Sequence, residues 1–120
     1  DLACAIAGIP LVDIPDAMIR HGLLSAIGGR EFENLDTDRM SEIMKVVSPL
    51  ALEPQLPVER RFLFAAVADR LVSPEQAARL WEHWDRPRIE WYQGGHMTFR
   101  AHASVRLLIE EGLRSAALAL

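Results

Sequence analysis

The sequence predicts an α/β fold built on a parallel sheet, and three observations predict it. Residues 2–7, and residues 62–67 of a strand candidate that begins at Arg61, are apolar on consecutive positions, as in strands covered on both faces. Residues 88–93 add a third strand candidate, with Ile89, Trp91 and Tyr92 supplying β-branched and aromatic side chains. Helical patterns lie between these runs, and strands alternating with helices imply right-handed crossovers and parallel neighbours.

The elements follow in order. The first strand is closed by Gly8 and Pro10, and Cys4 within it reads as a small buried apolar residue. Asp13 or Asp16 caps a helix expected to reach Ile27, with Ala17, Met18, Leu23, Leu24 and Ile27 on its apolar face. His21-Gly22 interrupts it, and His21 reads as a surface or interface histidine. Gly28-Gly29 opens a loop that runs to Asn34. Asp36 or Thr37 then caps a second helix, whose packing face is Met40, Ile43, Met44 and Val47 at helical spacing. Ser48-Pro49 stops it, and a proline-rich connection leads to the second strand. Ser73-Pro74-Glu75-Gln76 reads as a capping box with proline at the first helical position. Ala77, Leu80, Trp81 and Trp84 form the stripe of that helix, with His83 turned to solvent. The last helix is expected over about residues 98–117, with Val105, Leu108, Ile109, Leu113 and Ala116 on its core face.

Composition narrows the function classes. The 120 residues are 50% hydrophobic and 25% charged, ordinary values for one globular domain. Net charge is −4, and the 13 basic residues are scattered. Nucleic acid and anionic membrane both call for a concentrated basic patch, so neither is expected as a partner. No apolar run approaches the ~20 residues of a membrane span. Cys4 is the sole cysteine, which permits no internal disulfide and no thiolate zinc site. His102 stands six residues from His96, which is not a helical ligand spacing, so no metal and no cofactor are expected. A reducing, cytoplasmic setting is the default. The chain enters core sequence at residue 2, and it is expected to be a fragment of a longer domain.

The chemistry concentrates at two turns. Side chains just past the carboxyl ends of parallel strands gather on one rim, where ligands bind. Asp69 follows the second strand, and His96 follows the third behind Gly94-Gly95. A carboxylate beside an imidazole fixes its tautomer and stabilises its protonated form, so the histidine serves as a general base. Read bottom-up, the pair is balanced between this role and that of ordinary turn and helix-start residues.

The run Ala68-Asp69-Arg70-Leu71-Val72-Ser73-Pro74, then Leu80-Trp81, then Trp91-Tyr92-Gln93-Gly94-Gly95-His96, resembles the C-terminal part of an α/β-hydrolase. In that family the triad acid follows the seventh strand, and the histidine follows the eighth in a Gly-His corner. Asp69 and His96 match those positions, 27 residues apart. The resemblance implies three parallel strands, flanking helices, and a helical lid or cap insertion over residues 13–57. It also implies chain order nucleophile, acid, histidine. No serine of this chain stands in the Gly-x-Ser-x-Gly bracket of the family's nucleophile elbow. The nucleophile is therefore expected upstream, supplied by the missing N-terminal part of the domain. The implied activity is hydrolysis of a small-molecule acyl ester, with Asp69 and His96 as triad acid and base. The alternative is a non-catalytic α/β module that binds a partner, or a second copy of itself, through an open sheet edge.

Overall fold

The computed structural model describes residues 2–22 and 37–118. Three parallel strands, β1 (Ala5–Gly8), β2 (Arg61–Ala66) and β3 (Arg88–Tyr92), stand side by side in chain order. Ala7 lies opposite Leu63, and Ala66 lies opposite Tyr92. Four α-helices are found among the described residues: α1 (Ile14–Arg20), α2 (Thr37–Met44), α3 (Pro74–His83) and α4 (Ala103–Ala117). The class is α/β with a three-stranded parallel sheet, as the alternation of patterns predicts.

Strand β2 is buried along its whole length, and its alternating side chains divide two cores. Phe62, Phe64 and Ala66 pack with Tyr92 and with Val105 and Leu108 of α4. Leu63 points the other way, to Leu80 of α3 and to Val12, with Trp81, Trp84 and Ile89 packed around them. Each large apolar side chain removed from water in this way contributes about 1.5–3 kcal/mol. Helices therefore cover both faces, which is why β2 reads as an unbroken apolar run.

Arg61 begins β2 and is buried, but it is thoroughly partnered. Its guanidinium donates to the carbonyls of Leu56 and Trp84 and meets the Asp85 carboxylate at 3.2 Å. This knots the end of the long excursion to the end of α3. The start of the excursion is held by Gln76. Its buried carboxamide accepts from the Val12 and Asp13 amides at 2.9 and 2.7 Å and donates to the Asp13 carbonyl and Asp16 carboxylate.

The structure departs from the sequence expectation at several places. β1 spans Ala5–Gly8 rather than beginning at residue 2, and Cys4 is half-buried rather than buried. Beside β1 the chain has cover on one edge, so its side chains are only partly enclosed. Helix α1 stops at Arg20, where His21 caps it and Gly22 turns with φ of 58°. Leu23, Leu24, Ser25, Ile27, the loop through Asn34 and the Asp36 cap lie outside the described residues. In α2, Met40 and Met44 are half-buried but Ile43 is exposed, and Val47 is exposed in a 3₁₀ turn over Lys45–Val47. The apolar spacing is helical, yet only part of that face meets the body. The last helix starts at Ala103, after a 3₁₀ turn over Thr98–Ala101. Its buried row is Val105, Leu108 and Gly112, while Leu113 is exposed. A Cβ on Gly112 would lie 2.8 Å from Ile6 Cδ1, so the helix meets β1 and β2 through a residue with no side chain.

The capping box before α3 does not form. Ser73 makes no capping hydrogen bond with its side chain, and the Gln76 carboxamide that would reach back to the Ser73 amide is instead turned to the excursion. Nor is His83 free in solvent: its Nε2 hydrogen-bonds the Leu52 carbonyl at 2.8 Å.

Asp13 gives α1 a true cap. One carboxylate oxygen accepts from the Asp16 amide at 3.0 Å, and the other accepts from Arg79 at 2.9 Å. The Arg79 hydrogen bond, then the Asp16 amide, lowers the Asp13 pKa from its ordinary 3.8. A depressed carboxyl pKa contributes stability above the unfolded value, and that contribution is lost as pH falls through the lower folded value. Asp13→Ala is expected to cost about 1 kcal/mol at neutral pH through loss of the cap. Asp13→Asn should keep the cap but lose this part of the acid sensitivity. Denaturant melts at pH 7 and below pH 3.8 check both expectations.

Candidate active site

Residues immediately beyond β2 and β3 form the site. The ladder between these strands continues past their ends: Val67 N–H donates to the Tyr92 carbonyl and Ala68 N–H to the Gly94 carbonyl, each at 3.1 Å. The two rim turns are thereby stitched together. Asp69 and His96 follow directly, one on each turn.

The structure brings the two predicted site residues into contact. His96 Nδ1 lies 2.9 Å from Asp69 Oδ2. The Asp69 side chain is 1% exposed and that of His96 is 31% exposed, so the acid is enclosed and the imidazole reaches the surface. Asp69 Oδ1 accepts from the backbone amides of Leu71 and Val72 at 2.8 and 3.0 Å. A carboxylate with one oxygen fixed by two amides offers its second oxygen to the ring. A carboxylate only accepts, so a neutral imidazole bonded to it carries its hydrogen on Nδ1 and has its lone pair on Nε2. That is the tautomer a general base requires.

Local sequence explains each half. Asp69 begins a turn in which its side chain bonds amides two and three residues on, the ordinary habit of aspartate at such a bend. Gly94 is required by close approach rather than by an unusual backbone angle. A Cβ there would collide with Thr98 Oγ1 and come within 3.1 Å of His102 Nε2. Gly95 has room for a Cβ, whose nearest contact would be 3.8 Å away. Neither glycine has positive φ, so the corner is tight because of what packs beneath it.

Three neighbours were not singled out as site residues from sequence. The Tyr92 hydroxyl donates to the Gly95 carbonyl at 3.1 Å, and its ring sits 4.7 Å from that of His102. Burial, and then the Asp69 charge, raise the Tyr92 pKa above 10.0. Thr98 donates to the same Gly95 carbonyl through both N–H and Oγ1. His21, at the end of α1, donates from Nε2 to the Leu71 carbonyl at 2.6 Å, so the excursion touches the acid turn. The aromatic pattern around Tyr92 signalled a strand; its spacing from Gly95 carried the further signal. His21 and Leu71 are 50 positions apart, and no local pattern announces their contact.

Among the described residues, no three His, Cys, Asp or Glu side chains converge as a metal-binding group, and no helix is long and apolar enough to cross a membrane. An apolar cavity of about 510 Å³ opens at the far end of the sheet, where Ala5 and Arg61 begin their strands, with Leu2, Leu52, Leu56 and Trp84 in its walls.

No family model matches the sequence. No solved structure matches it either. Two curated relatives, uncharacterized proteins from two strains of Mycobacterium tuberculosis, are each 43% identical to it over 119 residues. The match takes in 98% of this chain but 28% of each relative. The chain thus spans little more than a quarter of the length of the curated relatives it matches.

Proposed function

We propose that this chain is the acid–base portion of a serine hydrolase of the α/β-hydrolase type, acting on a carboxylic ester. The observation that carries the reading is the 2.9 Å contact between His96 Nδ1 and a buried Asp69 at the carboxyl rim of adjacent parallel strands. Chain order and the Gly-Gly-His corner support it.

In the proposed reaction a serine upstream of this chain attacks the acyl carbon. His96 Nε2 takes the serine proton, and the imidazolium formed is held by Asp69 through Nδ1–H. The same proton passes to the departing alkoxide, which leaves as the alcohol. Water then attacks the acyl-serine, His96 accepts its proton and returns it to serine, and the carboxylic acid is released. Stabilisation of the oxyanion is assigned to the upstream part. The excursion over residues 13–57 takes the place of a lid or cap.

A fluorophosphonate probe tests the reading on the full-length protein. It should label a serine upstream of Asp1, and His96→Ala should abolish labelling and ester hydrolysis. Full labelling and hydrolysis in that variant would sink the assignment.

A second reading is favoured by one feature of the sheet. β1 is hydrogen-bonded to β2 on one side, and its Ala5–Gly8 side chains are only partly covered. A non-catalytic module that adds a strand from a partner or a second copy at this edge accounts for that. Amide exchange separates the two: protection of β1 that appears only on association, in a protein inert to the probe, supports the module.

A further inference from the structure

The proposed base is carried on a corner that is held by its backbone rather than by side chains of its own glycines. Gly94 and Gly95 lack side chains, and His96 is partly exposed, so the direction of the imidazole depends on what grips the preceding peptides. Two grips are visible. The Gly94 carbonyl takes the Ala68 N–H at 3.1 Å, which fixes the corner to the acid turn. The Gly95 carbonyl belongs to the peptide that delivers His96, and it accepts three donors: Thr98 N–H at 3.1 Å, Thr98 Oγ1 at 3.0 Å and Tyr92 OH at 3.1 Å.

The first two donors come from the following turn and move with the corner. The third comes from the sheet. Tyr92 is the last residue of β3, is 2% exposed, lies opposite Ala66 of β2, and belongs to the core cluster that includes Val105 and Leu108. The His102 ring lies 4.7 Å away at the foot of α4. The Tyr92 hydroxyl therefore refers the His96 peptide directly to the sheet framework on which Asp69 also stands.

Resting on the hydrolase reading, we propose that Tyr92 is a positioning residue for His96, holding the imidazole in line with Asp69 through the Gly95 carbonyl. A phenol suits this role because burial and the nearby Asp69 carboxylate keep it protonated, and so a donor, across the working range.

Tyr92→Phe in the full-length protein keeps the packed ring and removes the donor. Net loss of one such hydrogen bond corresponds to a fall of about three- to ten-fold in kcat, with KM unchanged. The Nδ1–H resonance of His96, read by NMR on the same variant, should shift or broaden, and Thr98→Val should produce a smaller change of the same kind. Unchanged kcat together with an unchanged resonance in Tyr92→Phe would overturn the proposal. A displaced resonance in Tyr92→Phe, while His96→Ala leaves hydrolysis intact, would uphold the positioning of His96 and defeat the hydrolase reading instead.

Discussion

On the proposed hydrolase reading, replacing Asp69 by asparagine in the full-length protein is expected to lower kcat about 10⁴-fold while leaving the fold in place. The amide retains the volume and the oxygen that accepts from Leu71 and Val72 at 2.8 and 3.0 Å. Toward His96 it presents an N–H₂ group, and a donor there obliges Nδ1 to accept. The ring hydrogen then moves to Nε2, the atom that must accept the serine proton, and the negative charge that stabilises the imidazolium is gone. Steady-state hydrolysis of an activated ester, with a denaturant melt beside it, separates this outcome from unfolding. A variant that melts normally and retains most of its kcat would remove Asp69 from the mechanism. The Asp69 side chain is 1% exposed and so, on that reading, out of reach of substrate, and KM should change little.

Leu63→Ala is the substitution expected to damage the fold most. Leu63 is 0% exposed at the centre of the sheet and packs against Val12 and Leu80. Truncation loses the transfer free energy of three carbons and leaves a cavity that a central strand cannot collapse into, at a cost of about 2–5 kcal/mol. Domain stability is commonly about 5–15 kcal/mol, so the variant forfeits a large share of it. The denaturation midpoint should fall with the slope of the transition unchanged. Because Leu63 lies mid-strand on the α3 face, away from Asp69 and His96, any activity of the folded fraction should be preserved.

These two residues also mark what could be read in the sequence. The strand holding Leu63 was legible because both its faces are covered, which leaves an unbroken apolar run. Asp69 and His96 were legible because each stands directly after a strand, and parallel neighbours bring such positions to one rim. The details that escaped reading depend on longer range. Gln76 looks like half of a capping box, but its carboxamide finds Val12 across 64 positions, where a buried pair of amides offers more than the Ser73 amide does. In α4 an apolar periodicity selects Leu113, whereas close approach to Ile6 and Phe62 demands the side-chain-free Gly112 one residue earlier. Ile43 and Val47 keep a helical spacing yet stay exposed, since periodicity names a face without saying what will cover it.

The two side-chain grips on the excursion have a consequence for its history. Gln76 holds the chain at Val12 and Asp13, and Arg61 holds it at Pro54 and Leu56. The mouth of the intervening segment is thus closed by the sheet and α3, independently of how many residues it contains. Closure entropy grows only logarithmically with length, so doubling such a segment costs about 0.6 kcal/mol. Insertions between the grips, placed away from His21, Ser48, Leu50 and Leu52, which bond to or pack on the body, should cost folding little and leave the rim that carries Asp69 and His96 unchanged.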